Sequence, residues 1–400
     1  PVIKVPETWT AKLDNGIEVI GTIMDEIPVV NILLTIEGGQ RLEAYTPEKA
    51  GISTLMASLM NESTKERSAE EMAKSLELLG STVSVSSNGN SLSVSIQTLK
   101  KNLNPTIKLA EEILFKPGFL ESDFTRLKTQ QLEGIKNQNT QPTAIARKVY
   151  DKLIYGSNNI QGIPSSGTIE TVENIKLEDV KDFYAKYFSP STANIVVVGA
   201  INKNESIIAL SRFSGWTGPE VKIPMETKIP EQGLTTIYLV DKEKSAQSQI
   251  RIGNYTGLTY DATGNYYRTG LMNYPLGGMF NSRINLNLRE DKGYTYGART
   301  RFSGDKYDGV FTAYAGVKLD ATAESVQEFM NEMTEYNLNG ITKEELSFMK
   351  SSIGQREALS YESPFQKASF LRNLITYDLD NNFKQEQNKI LQNMTKEEID

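Results

Sequence analysis

The feature that most constrains the fold is an internal repeat. Residue types in the first half of the chain recur about 222 positions later, with apolar residues in phase and a helix-opening proline in place. The matched pairs are Phe124/Leu346, Leu127/Met349, Lys128/Lys350, Pro142/Pro364, Ala146/Ala368 and Tyr155/Tyr377. These agreements at one offset predict two similar domains in tandem, and 400 residues are enough for two domains of roughly 150 residues each.

Both halves mix strand and helix signals. Asn88-Gly89 is a strong turn signal between two alternating runs, so a hairpin is predicted over 82–97. In the second half, strands are predicted over 237–240 and 247–255, followed by a hairpin over 294–317. Capping boxes that begin at Ser68 and Thr342 mark the starts of two helices. This pattern predicts an α+β fold of two homologous domains, each a mostly antiparallel sheet with helices packed on one face.

The proline-rich stretch between the halves gives the predicted boundaries. Residues 1–218 are assigned to the first domain, 219–234 to a linker and 235–400 to the second domain. Residues 394–399 resemble 175–180, after which the first half continues into a helix and an apolar strand. We therefore expect the second domain to be truncated before its own final helix and strand.

The chain contains no histidine and no cysteine, which excludes several kinds of chemistry. A Ser-His-Asp triad, a cysteine nucleophile and a zinc site built from His or Cys are all impossible in this chain alone. The net charge of -7 argues against nucleic-acid binding, and no apolar run is long enough to span a membrane.

The segment 277–296 is the strongest motif. A Gly-Gly pair is followed by Ser-Arg-Ile, then Leu-Arg, an acidic and basic mixture, and a tyrosine seven residues after Arg289. This segment resembles the Arg/Tyr signature of the pitrilysin/insulinase family of zinc peptidases (inverzincins), in their second, non-metal domain. The resemblance implies that Arg289 and Tyr296 hold a substrate carbonyl, and it implies two domains that form half of a clam-shell chamber. A guanidinium and a phenol are both hydrogen-bond donors and suit that role.

The same resemblance locates a degenerate zinc motif in the first domain. The family carries His-x-x-Glu-His on a helix, with a third ligand, Glu, further along the chain. Here Thr54 and Ser58 occupy the two His positions and Ala57 the Glu position. The distal ligand position falls at or beside Gly134, and Glu133, one residue away, would point elsewhere on its helix. The resemblance therefore implies no catalytic residue or metal in this chain alone, and zinc in a partner.

Three hypotheses remain open. The first is a non-catalytic, substrate-binding subunit of a heterodimeric zinc peptidase, which binds peptides and pairs with a homologous zinc-bearing subunit or domain. The second is an inactive scaffold or binding protein kept for assembly. The third is the C-terminal half of a longer single-chain peptidase of the same family.

Overall fold

The computed structural model describes residues 5–225, 229–231 and 233–399. Residues 226–228 and 232 of the predicted linker, residues 1–4 of the first predicted domain and residue 400 of the second lie outside the described residues. The strands are β1 Trp9–Lys12, β2 Glu18–Ile23, β3 Val29–Glu37, β4 Thr82–Ser87, β5 Ser91–Leu99, β6 Ala193–Gly199, β7 Gln247–Tyr255, β8 Thr295–Gly304 and β9 Gly309–Lys318. The α-helices are α1 Ile52–Met60, α2 Ala69–Leu78, α3 Leu103–Phe115, α4 Glu121–Gln138, α5 Pro142–Tyr155, α6 Ile169–Glu173, α7 Leu177–Tyr187, α8 Lys203–Leu210, α9 Asn265–Asn273, α10 Arg283–Asn285, α11 Thr322–Asn339, α12 Lys343–Ala358, α13 Pro364–Tyr377 and α14 Phe383–Asn393. In this described part of the chain, no helix has the length and apolar character needed to cross a membrane.

Two sheets share one strand plan. The first has the order β1-β2-β6-β3-β5-β4 and is antiparallel except where β6 runs parallel to β2. The second has the order β7-β9-β8, which reproduces the β3-β5-β4 part of the first. β3 and β7 are both nine residues long and begin 218 residues apart, whereas α5 and α13 begin and end 222 residues apart. The predicted α+β fold with a repeated plan is confirmed. We call β1 to α8 the first repeat and β7 to α14 the second.

Several local predictions are also confirmed. β4 and β5 form the hairpin about Asn88-Gly89. Both capping boxes are present, at the N-termini of α2 and α12, where a hydroxyl accepts a backbone N–H and a Glu carboxylate reaches back to the cap. Pro142 and Pro364 each open a helix, since a first-turn N–H has no intrahelical acceptor to lose.

The core of the first repeat lies between its sheet and its helices. Ile32 and Leu34 of β3 are buried in one cluster with Leu55 and Leu59 of α1 and with Ile107 of α3. Burying an aliphatic side chain of this size contributes about 1.5–3 kcal/mol. α1, which carries the predicted zinc-motif positions, is thus fixed against the sheet.

The opposite face of the first sheet is covered by the second repeat. Phe370 and Leu374 of α13 pack with Ile20 of β2 and with Val196 and Val198 of β6. α5 contacts β7 in the reciprocal way. Each repeat therefore packs one of its helices against the sheet of the other repeat.

A buried ion pair also joins the two repeats. Arg41 follows β3, Asp308 precedes β9, and their side chains form a salt bridge at 3% and 5% exposure. The Arg41 guanidinium also lies 4.0 Å from the centroid of the Tyr307 ring, and its Nε donates to Asn90 Oδ1 at 3.3 Å. Nearby, Lys306 pairs with Glu37 at 3.1 Å in a more exposed position.

The strand predicted over 237–240 is not formed. Ile237 and Leu239 have exposed fractions of 78% and 91%, and no ladder includes them. The prediction relied on a run of β-favouring residues, but such residues form a strand only where a neighbouring strand completes their hydrogen bonds. Among the described residues, the second sheet consists of β7, β9 and β8, and none of these strands pairs with 237–240.

Candidate functional site

Arg289 lies on a short, irregular helical segment behind the Gly-Gly turn. The short helix α10 ends at Asn285, and a π-helical turn that carries Arg289 runs over Leu286–Asp291. π-helical turns are rare in proteins, and those that do occur are often found at functional sites. The Gly277 position requires glycine, because an added Cβ would come within 2.6 Å of the Thr300 backbone nitrogen on β8.

The Arg289 guanidinium rests on an aromatic ring and retains unused donors. Its Cζ lies 4.5 Å from the centroid of the Phe280 ring. Its Nη1 forms an ion pair with Glu290 Oε1 at 3.5 Å but has no hydrogen-bond acceptor among the described residues, and the side chain is 32% exposed. The side chain is therefore held by the ring rather than by a full set of hydrogen bonds.

Tyr296 projects from a β-bulge. The register of the β8–β9 ladder shifts between Thr295 and Ala298, so Tyr296 and Gly297 are displaced from regular pairing. Thr295 Oγ1 accepts a hydrogen bond from Gly297 N at 3.0 Å and donates to Gly316 O at 2.7 Å, which fixes the bulge. Bulges often redirect a side chain, and here Tyr296 is 90% exposed.

The Asn285 side chain connects the loop that carries Phe280 to strand β8, and Arg299 of β8 makes a second link, since its Nη1 donates to Met279 O at 2.9 Å. Asn285 Nδ2 donates to Phe280 O at 2.7 Å, and Asn285 Oδ1 accepts from Ala298 N at 2.9 Å. The described residues show no hydrogen bond or ring contact between Arg289 and Tyr296 themselves. The structure thus places the two predicted residues on linked segments, with donors that are not used internally.

The degenerate zinc-motif positions lie on α1. Thr54 and Ser58 are one turn apart, and the Ser58 hydroxyl donates to Thr54 O at 3.0 Å. The Thr54 hydroxyl donates to Ser165 O at 2.7 Å, and the Ala57 methyl is buried. The helical spacing of the motif is present, but both hydroxyls donate to backbone carbonyls.

Gly134, the fourth predicted position, lies on α4 beside α1. Gln131, one turn earlier on α4, donates to Gly51 O at 3.1 Å and to Ser166 O at 2.8 Å, which ties α4 to the start of α1. A Cβ added at Gly134 would have no neighbour within 4 Å. The neighbouring Glu133 is exposed to solvent.

Glu43 holds the beginning of α1. Its carboxylate accepts hydrogen bonds from Gly51 N and Ser53 N, both at 2.8 Å, and from the Ser53 hydroxyl at 2.5 Å. Burial raises the pKa of Glu43 to about 7, and the hydrogen bonds to Ser53 and Gly51 only partly oppose this shift. Glu43 therefore stabilises the N-terminus of the helix that carries three of the degenerate zinc-motif positions.

The residues at these positions do not fit zinc. Protein zinc sites use imidazole, thiolate or carboxylate ligands, and Thr54, Ala57, Ser58 and Gly134 supply none of them. Within the described residues, no group of three or more His, Cys, Asp or Glu side chains is arranged to hold a metal ion.

The repeated α+β plan with an Arg/Tyr segment in its second repeat defines a class of two-domain peptidase homologue, and comparison with known proteins identifies the family. The family model described as "Peptidase M16 inactive domain" matches residues 174–353, and the model "Insulinase (Peptidase family M16)" matches residues 20–161. The chain belongs to the M16 peptidase family and carries its inactive domain.

The relatives include both peptidases and non-peptidases by name. The uncharacterized zinc protease YmxG of Bacillus subtilis is 26% identical over 358 residues, covering 89% of this chain and 85% of that protein. The non-peptidase homolog YmxG of Helicobacter pylori is 24% identical over 373 residues, covering 93% and 85%. Cytochrome b-c1 complex subunit 1 of Bos taurus is 22% identical over 219 residues, covering 54% and 44%. The crystal structure of a peptidase M16 inactive domain from Pseudomonas fluorescens matches with a TM-score of 0.88 and 22% identity, covering 98% of this chain and 93% of that one.

Sequence reasoning did not identify Asn285, Phe280 or Thr295 as parts of the site. All three lie inside or beside the recognised segment, but an asparagine on a helix gives no sign of which backbone groups it bonds. Phe280 O and Ala298 N both bond to the Asn285 side-chain amide only because the folded chain places them next to it.

Proposed function

We propose that this chain is the substrate-binding, non-catalytic subunit of a two-component zinc peptidase. Arg289 and Tyr296 bind the peptide, and a homologous subunit or domain carries the zinc. The observation that supports this most strongly is the contrast between the two sites. The zinc-motif positions carry no zinc ligand, whereas Tyr296 is 90% exposed and the partly exposed Arg289 guanidinium has an ion pair with Glu290 at 3.5 Å but no hydrogen bond among the described residues.

The chemistry of the pair suits a peptide carbonyl. The guanidinium of Arg289 presents several N–H donors in one plane. The Tyr296 hydroxyl, at the end of an exposed side chain, supplies a second donor. Donors aimed at a carbonyl oxygen act most strongly as that oxygen gains negative charge in the transition state, so the pair would favour turnover more than initial binding.

The zinc-bearing partner would supply the water-activating chemistry. This chain contributes binding and orientation, which require no metal ligand of its own. The relative named as a subunit of the cytochrome b-c1 complex is consistent with assembly of related chains into larger complexes.

Reconstitution tests the proposal. The chain is purified alone, a zinc-bearing M16 protein from the same genome is purified alone, and an unstructured fluorogenic peptide is added to each and to the mixture. We expect cleavage only in the mixture, or a large increase over the zinc protein alone. A stable complex with no gain in cleavage would favour the scaffold hypothesis, and no complex would refute the two-chain form of the proposal.

A further inference from the structure

Asn285 is a fully buried polar residue in the middle of the candidate site. Both of its side-chain atoms are engaged, because Nδ2 donates to Phe280 O at 2.7 Å and Oδ1 accepts from Ala298 N at 2.9 Å. The two partners belong to different segments, namely the loop after the Gly-Gly turn and strand β8. Asn285 therefore joins these two pieces of backbone through a buried side chain, while Arg299 of β8 joins them at the neighbouring Met279 O, 2.9 Å from its Nη1.

Each piece of backbone supports one member of the Arg/Tyr pair. Phe280 contributes the ring on which the Arg289 guanidinium rests, 4.5 Å from the ring centroid. Ala298 is the residue at which regular pairing with β9 resumes after the bulge that carries Tyr296. Asn285 itself ends α10, and the π-helical turn with Arg289 follows directly.

We infer that Asn285 is a positioning residue for Arg289 relative to Tyr296, an inference that rests on the proposed function of that pair. Asparagine suits the task because it joins a donor and an acceptor on one short side chain. Aspartate keeps the acceptor for Ala298 N and loses the donor for Phe280 O. Alanine loses both and leaves buried backbone groups unpaired.

The chain offers a matched control two residues away. Asn287 lies on the π-helical turn that carries Arg289, and its amide donates to Glu328 at 2.8 Å and to Glu332 at 2.7 Å, both on α11. Asn287→Ala therefore removes two hydrogen bonds of a neighbouring asparagine without releasing the Phe280 loop or the bulge.

The first test measures geometry without any partner. Because the chain has no native cysteine, Arg289→Cys/Tyr296→Cys can be labelled with nitroxides at those two positions only. We expect a narrow dipolar interaction between the labels, its loss or broadening when Asn285→Ala is added, and no change with Asn287→Ala. Asn285→Asp should give an intermediate spectrum, since only the Phe280 loop is released. Equal spectra for Asn285→Ala and its parent overturn the inference.

The second test measures turnover of the fluorogenic peptide by the reconstituted complex. A misplacement of 1 Å can cost about 10²-fold in rate, so Asn285→Ala should lower kcat by up to that factor with a smaller change in KM. In the Arg289→Ala/Tyr296→Phe background, Asn285→Ala should cause no further loss. An equal loss in both backgrounds means that Asn285 has a structural role only, and it overturns the inference while the proposed function stands. Unchanged turnover in Arg289→Ala/Tyr296→Phe itself refutes the proposed function, and the nitroxide measurement then still decides the geometric role of Asn285.

Discussion

The buried ion pair between the repeats makes a quantitative prediction. Arg41→Met keeps most of the side-chain length but leaves the Asp308 carboxylate buried without its cation, since Asp308 is only 5% exposed. Removing one partner of a buried pair typically costs about 3–5 kcal/mol, because the remaining charge is uncompensated. Loss of the contact between the guanidinium and the Tyr307 ring, 4.0 Å from its centroid, adds to this cost. We expect a decrease of about that size in the free energy of unfolding, measured by urea denaturation followed by far-UV circular dichroism.

Two controls separate this effect from general damage at the interface. Lys306→Ala removes a cation from the same interface, but its pair with Glu37 is 42% and 22% exposed, so the expected cost is about 0–1 kcal/mol. Arg41→Met/Asp308→Leu removes both charges and should recover a large part of the loss. A cost for Arg41→Met no larger than that for Lys306→Ala would show that this ion pair does not hold the repeats together as argued.

Three further predictions concern the first repeat and its contact with the second. Chain equilibrated with zinc and then desalted should retain no stoichiometric metal, since Thr54, Ala57 and Ser58 offer no ligand; one equivalent bound at α1 would contradict this. Burial raises the pKa of Glu43 from 4.5 to about 7, so the folded state binds this proton more tightly than the unfolded state does. The resulting contribution to the free energy of unfolding is fully present below about pH 4.5 and is lost as the pH rises through about 7. The wild type should therefore lose stability relative to Glu43→Gln between pH 5 and pH 8. A difference in unfolding free energy between the two proteins that stays the same over this range would refute the raised pKa of Glu43. Tyr150 donates to Phe311 O at 2.8 Å across the repeats, so Tyr150→Phe should lower the free energy of unfolding by about 0.5–1.5 kcal/mol, and an unchanged urea midpoint would contradict that.

The sequence predicted the parts of the fold that depend on local signals. The Asn88-Gly89 turn, the capping boxes at Ser68 and Thr342 and the proline starts of α5 and α13 all act within a few residues, so the pattern alone is sufficient. Ile237 and Leu239 show the limit, because a strand also requires a partner that local sequence does not reveal.

In the candidate site, too, the sequence predicted the local features but not those that depend on long-range contacts. The spacing of Arg289 and Tyr296 was recognisable from the motif, but the bulge that exposes Tyr296 and the ring that supports Arg289 depend on contacts across the fold. Arg41 and Asp308 are 267 positions apart, so no sequence pattern could pair them.

The most direct test of the proposed function is the activity of Arg289→Ala and Tyr296→Phe in the reconstituted complex. Removing one donor to a developing oxyanion typically lowers the rate by about 10²–10³-fold. We predict a loss of that order in each variant, with complex formation and the zinc content of the partner unchanged. Arg301→Ala removes an exposed cation from β8, the strand that also carries Tyr296, and this variant should keep the wild-type rate. Wild-type kcat/KM in both Arg289→Ala and Tyr296→Phe would contradict the substrate-binding role.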